Sequence, residues 1–338
     1  MRSFRTVHRS RGRQTQPAAP LQFRPRRDGI LPTLAGRPAW LCLVLLFWLV
    51  RSFAWCAPPS FQPIAGFSSR TNGRIEELLS ATSQHRGRKV AVFDGDGTVL
   101  GQSPHYLADE CLYREARRHP EKRPDIVRAM RAWSNVSIPY VKHRVFFFEG
   151  DTVDSVRDLG DLCFRKFYGG KVFTPMKQLI RVLQDNGFEA WIVSASPEAM
   201  YQKFLSRELG IPMVRIIGVR SVTRDGRMTS TIVEPVPQDD GKKAAIETFI
   251  QEQPLLVAGN SRGDREMIEY SSQVRMIINP DQDVAPGQKE SLSAYARRNG
   301  WIIERIRDVP EPGFPSVSSR VYGVRQNRAH DGAGTGRH

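Results

Sequence analysis

Cysteine is scarce in this chain of 338 residues. Of its four cysteines, Cys42 lies inside an apolar run and Cys56 just after it, which leaves Cys111 and Cys163 for everything that follows. Two isolated thiols supply neither a zinc set nor a disulfide framework. They read as half-buried free cysteines, and a Cys111–Cys163 bridge becomes possible only if the protein is exported to an oxidising compartment. Acid is nearly missing from the first part of the chain. Residues 1–57 hold ten Arg, no Lys and a single acid, Asp28, so this leader carries +9 of the formal +15. The basic balance is therefore local. The body has no Lys/Arg stripe interleaved with aromatics, and no nucleic-acid partner is expected. Also missing are GxxxxGK[ST], GxGxxG after a strand, HExxH and GxSxG, which sets aside the P-loop, dinucleotide-binding, zinc-protease and nucleophile-elbow readings. No internal repeat is visible.

Long apolar runs are missing too. The longest, Ala39 to Val50, has twelve residues. That is short of the ~20 a membrane helix needs but right for the core of a signal peptide. If Arg51 and Ser52 are tolerated, the run reaches Ala57 and just spans. Positive residues before it and Ala54, Cys56 and Ala57 after it fit an export signal. The expectation is a basic leader (1–57) with a signal or membrane segment at 39–57, placing the protein in the periplasm or tethered to a membrane. An organelle transit sequence and a buried core helix are the competing readings of this stretch.

What is present after the leader is order. Residues 58–73 are a Pro/Ser/Gly linker and Asn72 to Gln84 reads as a helix. Lys89–Phe93 is a short, buried-type strand. Gln102 to about Phe173 carries helix-period patterns. From Thr174 helices and short apolar strands alternate, with a strand pair turning at Asp225-Gly226. This predicts an α/β fold, a parallel sheet wrapped by helices, with a helical cap at 101–173 inserted after the first strand. The core is then 74–100 and 174–308, and residues 309–338, rich in Gly, Pro, Arg and Ser, read as a disordered tail.

Four places put chemically able residues at strand ends, where open α/β sheets bind ligands. They are Asp94 and Asp96 in KVAVFDGDGTVL, Ser194 after Trp191-Ile192-Val193, Lys242 at a helix start, and Asn260 with Asp264 after LLVAG. Singly, each has a plain structural reading: an acidic turn, a strand-end serine, a solvated lysine, a helix cap. Together they suit a phosphate monoester. Asp94 can attack phosphorus and Asp96 can trade a proton with the leaving oxygen and then with water. Two carboxylates beside a phosphate dianion need a hard cation, so Mg²⁺ is expected, with Asp94, Asp96, Asn260 and Asp264 as its candidate ligands. Ser194 and Lys242 can hold the phosphoryl oxygens.

In order and type, FDGDGTV (93–99), IVSAS (192–196), DGKKAAI (240–246) and AGNSRGD (258–264) resemble the four motifs of the haloacid dehalogenase-like hydrolase superfamily. The helical insert is similar to the cap of its phosphoserine phosphatase-like branch. The resemblance implies a Rossmann-like core, a mobile cap and Mg²⁺-dependent phosphoryl transfer. It implies Asp94 as nucleophile and Asp96 as acid/base with its backbone carbonyl on the metal. It also implies Thr98 holding the Asp96 loop on the substrate side, with Ser194 and Lys242 on the phosphoryl group. The chain departs from the family in two places. Its fourth motif begins with Asn260 rather than Asp, and no acid follows the first motif before Asp109 to read an ammonium, which argues against phosphoserine. His105, Tyr106, Arg144 and the run Phe146-Phe147-Phe148 are the candidate substrate readers, the phenylalanines either as an aromatic cage or as cap core. The expected function is a phosphomonoester hydrolase acting on a small organic phosphate. The alternatives are a phosphotransferase or phosphomutase of the same fold, and an inactive membrane-anchored binding module.

Overall fold

Lys89–Phe93 forms strand β1, and its alternating side chains divide between two faces. Ala91 and Phe93 join one apolar cluster and Val90 and Val92 the other, all fully buried. Only a central parallel strand covered on both sides needs such an unbroken apolar run. In the computed structural model, which describes residues 61–310 and 313–325, β1 pairs in parallel with β2 (Phe188–Pro197) and with β6 (Leu256–Gly259). With β3 (Ile216–Val219), β7 (Val274–Ile278) and β8 (Ile302–Glu304) they make a six-stranded sheet in the order β3-β2-β1-β6-β7-β8. The parallel α/β expectation holds. Strand order reverses between β1 and β6, so the crevice beyond their carboxyl ends is the topological switch point of the sheet.

Helix α1 (Ser69–Ala81) precedes β1; its N-cap is Ser68, whose hydroxyl accepts from the Thr71 N–H. The helix thus starts inside the expected linker. Between β1 and β2 run α2 (Leu107–Arg118), α3 (Pro124–Met130), α4 (Ile138–Phe146), α5 (Val153–Cys163) and α6 (Thr174–Asp185). After β2 comes α7 (Glu198–Leu209). Cap helix α5 lies directly on α7: a Cβ added at Gly160 would sit 1.9 Å from the Met200 carbonyl oxygen, so only glycine permits this approach. The remaining helices are α8 (Asp240–Ala245), α9 (Arg265–Glu269), α10 (Leu292–Arg298) and α11 (Ser318–Tyr322).

Several expectations are corrected. The strand pair turning at Asp225-Gly226 is a separate hairpin, β4 (Ser221–Arg224) with β5 (Arg227–Ile232), while β3 belongs to the main sheet. The hairpin reaches the cap: Gly150 N–H donates to the Met228 carbonyl and Met228 N–H to the Asp151 carbonyl, each at 2.9 Å. Strand β8 and helix α10 were not anticipated, because three-residue Ile302–Glu304 is too short to show a period. The tail is not disordered through 325, since α11 packs on the cap. Cys111 and Cys163 are disulfide-bonded across α2 and α5, with Cα atoms 5.9 Å apart, rather than free thiols. The leader, with its expected signal or membrane segment, lies outside the described residues. Among those described, no helix is long and apolar enough to cross a membrane.

Candidate active site

Asp94 follows the last residue of β1, and its N–H donates to the Ala258 carbonyl of β6 at 2.9 Å, so two rigid strands fix its backbone. The chain then turns sharply. Gly97 has φ +83°, and a Cβ there would strike the Asn260 amide at 1.9 Å. Glycine is required on both counts. This turn aims Asp96 back over the crevice, toward the cap and the start of α7.

Asp94 and Asp96 are buried but differently held. Lys242 Nζ donates to Asp94 Oδ1 at 2.5 Å, and Thr98 Oγ1 to Asp94 Oδ2 at 3.3 Å. Asp96 has no cation in contact. Its oxygens accept from Ser196 Oγ (2.7 Å) and Tyr201 OH (2.8 Å). Burial pushes the Asp96 carboxyl up to about 6, against the pull of those two hydroxyls. A carboxyl so placed holds a proton more readily than a free one, as a general acid must. Burial also pushes Asp94 up to about 7, against the pull of Lys242.

Lys242 is shared. Burial disfavours its charge, but Asp264 and Asp94 outweigh burial and raise its pKa. Asp264 Oδ1 takes a second Lys242 hydrogen bond at 2.5 Å, and its Oδ2 accepts from Asn260 N–H, Ser261 N–H and Ser261 Oγ. Burial works against the Asp264 charge, yet Lys242 and these donors hold its pKa below the usual range. Two buried carboxylates, Asp94 and Asp264, therefore share one ammonium, and the third, Asp96, is held by hydroxyls alone.

The Asn260 amide shows where a cation would fit. Its end lies 3.2 Å from both the Asp96 carbonyl oxygen and Asp94 Oδ2, and 3.3 Å from Asp264 Oδ2. With nitrogen turned that way the amide donates to these oxygens, and its own oxygen accepts from Gln102 Nε2 at 3.3 Å. With oxygen turned that way, Asn260 Oδ1, Asp94 Oδ2 and the Asp96 carbonyl converge as a set of hard oxygens suited to Mg²⁺. Among the described residues no group of three or more His, Cys, Asp or Glu is arranged to hold a metal ion.

The crevice opens as a cleft lined by Asp94, Asp96, Ser194, Lys242 and Asn260 from the core and by Tyr106, Asn135 and Arg144 from the cap. Arg144 is buried; its Nε donates to Asp109 Oδ1 at 2.8 Å, and Asp109 also accepts from Tyr140 OH and Asn135 Nδ2. Burial alone would lower the Arg144 pKa, and Asp109 more than reverses that. Among the described residues, Arg144 Nη2 and Asn135 Oδ1 have no hydrogen-bond partner.

The structure bears on four of the sequence readings. Thr98 is fully buried and bonds Asp94, so it orients that carboxylate instead of holding the Asp96 loop or lining the cleft. Asp264 is committed to Lys242 and the 260–261 backbone, while the Asn260 amide lies against Asp94 Oδ2 and the Asp96 carbonyl. Phe147 and Phe148 are fully buried and edge-packed at 5.0 Å, cap core and not a cage. His105 is buried outside the cleft lining, whereas Tyr106 and Arg144 line it. Sequence reasoning missed Tyr201 and Asn135; Ser196 stood inside a quoted motif without a role.

A model of the haloacid dehalogenase-like hydrolase family fits residues 91–269, over half of the chain. The chain belongs to that family. A putative hydrolase of Mycobacterium leprae (strain TN) is 24% identical over 179 residues, 51% of this chain and 56% of that protein. A Mycobacterium tuberculosis protein named as a phosphoserine phosphatase is 24% identical over 166 residues, 48% of this chain and 50% of that protein. The chain thus spans about half the length of the curated relatives it matches. A solved structure of a functionally unknown protein from Anaerococcus prevotii DSM 20548 covers 70% of this chain and 92% of its own at 16% identity, with a TM-score of 0.55. At that identity the likeness is one of fold.

Proposed function

We propose that this protein is a Mg²⁺-dependent phosphomonoester hydrolase that works through an aspartyl-phosphate at Asp94. The observation that carries this is the unequal pair at the end of β1: Asp94 held by a lysine, Asp96 held by two hydroxyls, both on one cleft. In the first step an Asp94 carboxylate oxygen bonds to phosphorus as the ester P–O bond breaks, and Asp96 gives its proton to the departing alkoxide. In the second, Asp96 takes a proton from water, whose oxygen bonds to phosphorus as the P–O bond to Asp94 breaks. Lys242 offsets charge on the phosphoryl oxygens and Ser194 Oγ is placed to donate to one. Asp94, the Asp96 carbonyl and Asn260 would hold Mg²⁺, which supplies the positive charge that Lys242 alone does not.

The substrate is a small organic phosphate. Among the described residues, Asp94 and Asp96 are the carboxylates that line the cleft, which offers no further acid to an ammonium, while Arg144 Nη2 presents a donor. This favours an alcohol bearing an anion or hydrogen-bond acceptor. Export or membrane tethering is part of the same reading, supported by the Arg-rich leader and by the Cys111–Cys163 disulfide, a bond that persists in oxidising compartments. Turnover of a panel of phosphate esters by the full chain, with and without Mg²⁺, tests the proposal. Mg²⁺-dependent phosphate release, lost in Asp94→Ala, is expected; no turnover of any ester returns the protein to a binding role. Preferential transfer to an added alcohol over water favours the phosphotransferase alternative.

A further inference from the structure

The family match ends at residue 269, yet the chain beyond it reaches back to the cap. After β8, Asp308 meets both segments that join cap to core. Its Oδ2 accepts from the Gln102 and Ser103 N–H groups at 2.7 and 3.0 Å, in the first hinge. Its Oδ1 accepts from Lys171 Nζ, in the second hinge, at 2.6 Å, and Lys171 also donates to the Ser103 and Val309 carbonyls. The hinges are paired directly as well: Gly101 N–H donates to the Lys171 carbonyl at 2.8 Å and Phe173 N–H to the Val99 carbonyl at 2.9 Å. Lys171 is buried, so this knot is shielded from water.

Farther along, the chain seats itself on α2. Glu110 of that helix is fully buried, and a buried carboxylate needs partners. It finds them on residues 316–318: Ser316 Oγ donates to it at 2.6 Å, Val317 N–H at 3.0 Å and Ser318 N–H at 3.1 Å. Phe314 packs edge-on against Tyr168, whose hydroxyl bonds the His105 carbonyl, and Tyr322 stacks on Tyr113 of α2 at 4.4 Å. Arg114, one turn on in the same helix, pairs with Glu110 at 3.4 Å, and the remaining partners of this carboxylate come from the chain after β8.

We propose that the segment after β8 is a clasp. Asp308 acts as a positioning residue that fixes the hinge carrying Gln102 into the cleft, and the Glu110 seat fixes cap helix α2, so that the cap is held closed by residues outside the catalytic fold. The inference rests on the proposed phosphatase for its kinetic readout only. The test is hydrogen exchange and kinetics on full-chain Asp308→Ala, read with p-nitrophenyl phosphate and Mg²⁺. Exchange is expected to rise roughly tenfold or more both in hinge residues 100–106 and in α2, 107–118. A hinge that positions substrate shifts KM together with kcat, whereas a merely less stable protein lowers the active fraction and leaves KM alone. If Asp308→Ala does not fold, Glu110→Gln and Asp308→Asn replace it, with the same pattern at smaller amplitude. Faster exchange confined to 100–106, or wild-type KM, overturns the clasp. Wild-type protein with no turnover on any ester refutes the phosphatase reading and leaves the exchange test standing.

Discussion

Replacing Asn260 by Asp separates the protein with metal from the protein without it. The amide ends 3.2 Å from Asp94 Oδ2 and 3.3 Å from Asp264 Oδ2, so the variant places a third carboxylate against two others. At an effective dielectric of about 20, charges that close repel by about 5 kcal/mol per pair. Proton uptake by one of the three and small side-chain shifts relieve most of this, leaving a loss of about 2–3 kcal/mol. For a domain of this size that lowers Tm by about 5–10 °C when no Mg²⁺ is present. With Mg²⁺ the sign reverses, because the added charge attracts the cation: tenfold tighter binding adds about 1.4 kcal/mol at saturating metal. Thermal unfolding of N260D and wild type across a MgCl₂ series reads both effects. The variant should start lower and climb farther. A variant as stable as wild type without Mg²⁺, with an equal response to it, refutes both the placement of Asn260 and the cation site.

Three further outcomes follow from the geometry. Ser196→Ala with Tyr201→Phe strips the two donors from Asp96 and should cut kcat by about tenfold to a hundredfold with KM nearly kept, measured by steady-state turnover. Gly160→Ala would ordinarily stabilise a helix by about 1 kcal/mol, but here its methyl meets the Met200 carbonyl at 1.9 Å, so urea unfolding should show a net loss of about 2 kcal/mol or more. His105 is held below its ordinary pKa by burial, with Glu110 and Asp109 pulling the other way. The unfolded chain therefore takes up the proton first, and His105 contributes stability above pH ~6.5 that is lost as pH falls from there through its lowered value. His105→Asn should flatten the stability-against-pH curve below ~6.5, in chemical denaturation at stepped pH.

The catalytic strand was legible because its signals are local. KVAVF followed by two carboxylates and two glycines within four residues states a buried parallel strand and a polar turn at once. Ser194, Lys242 and Asn260 were legible through chain order: Ser194 sits in the carboxyl half of β2, Lys242 in the first turn of a helix, and Asn260 just after β6. Thr98 was found but misplaced: its direction depends on the Gly95–Leu100 turn, which spacing does not reveal. Tyr201 reaches Asp96 across 105 positions and Asn135 reaches Asp109 from the turn between α3 and α4, and neither leaves a periodic trace. The tail misled because its composition is that of disordered chain. What orders it is one buried acceptor, Glu110, some two hundred residues earlier. The cysteines misled for the same reason, since only the crossing of α2 and α5 brings them together.

The most direct test of the account is where phosphate goes. Asp96→Asn should still take phosphate from p-nitrophenyl phosphate, whose leaving group needs little help from an acid, and should release it slowly for want of a base. Acid quench during turnover with Mg²⁺, borohydride reduction and peptide mapping should then find the acyl-phosphate at Asp94 alone, and Asp94→Asn should show neither label nor turnover. Label on any other residue, or wild-type turnover in Asp94→Asn, contradicts the account.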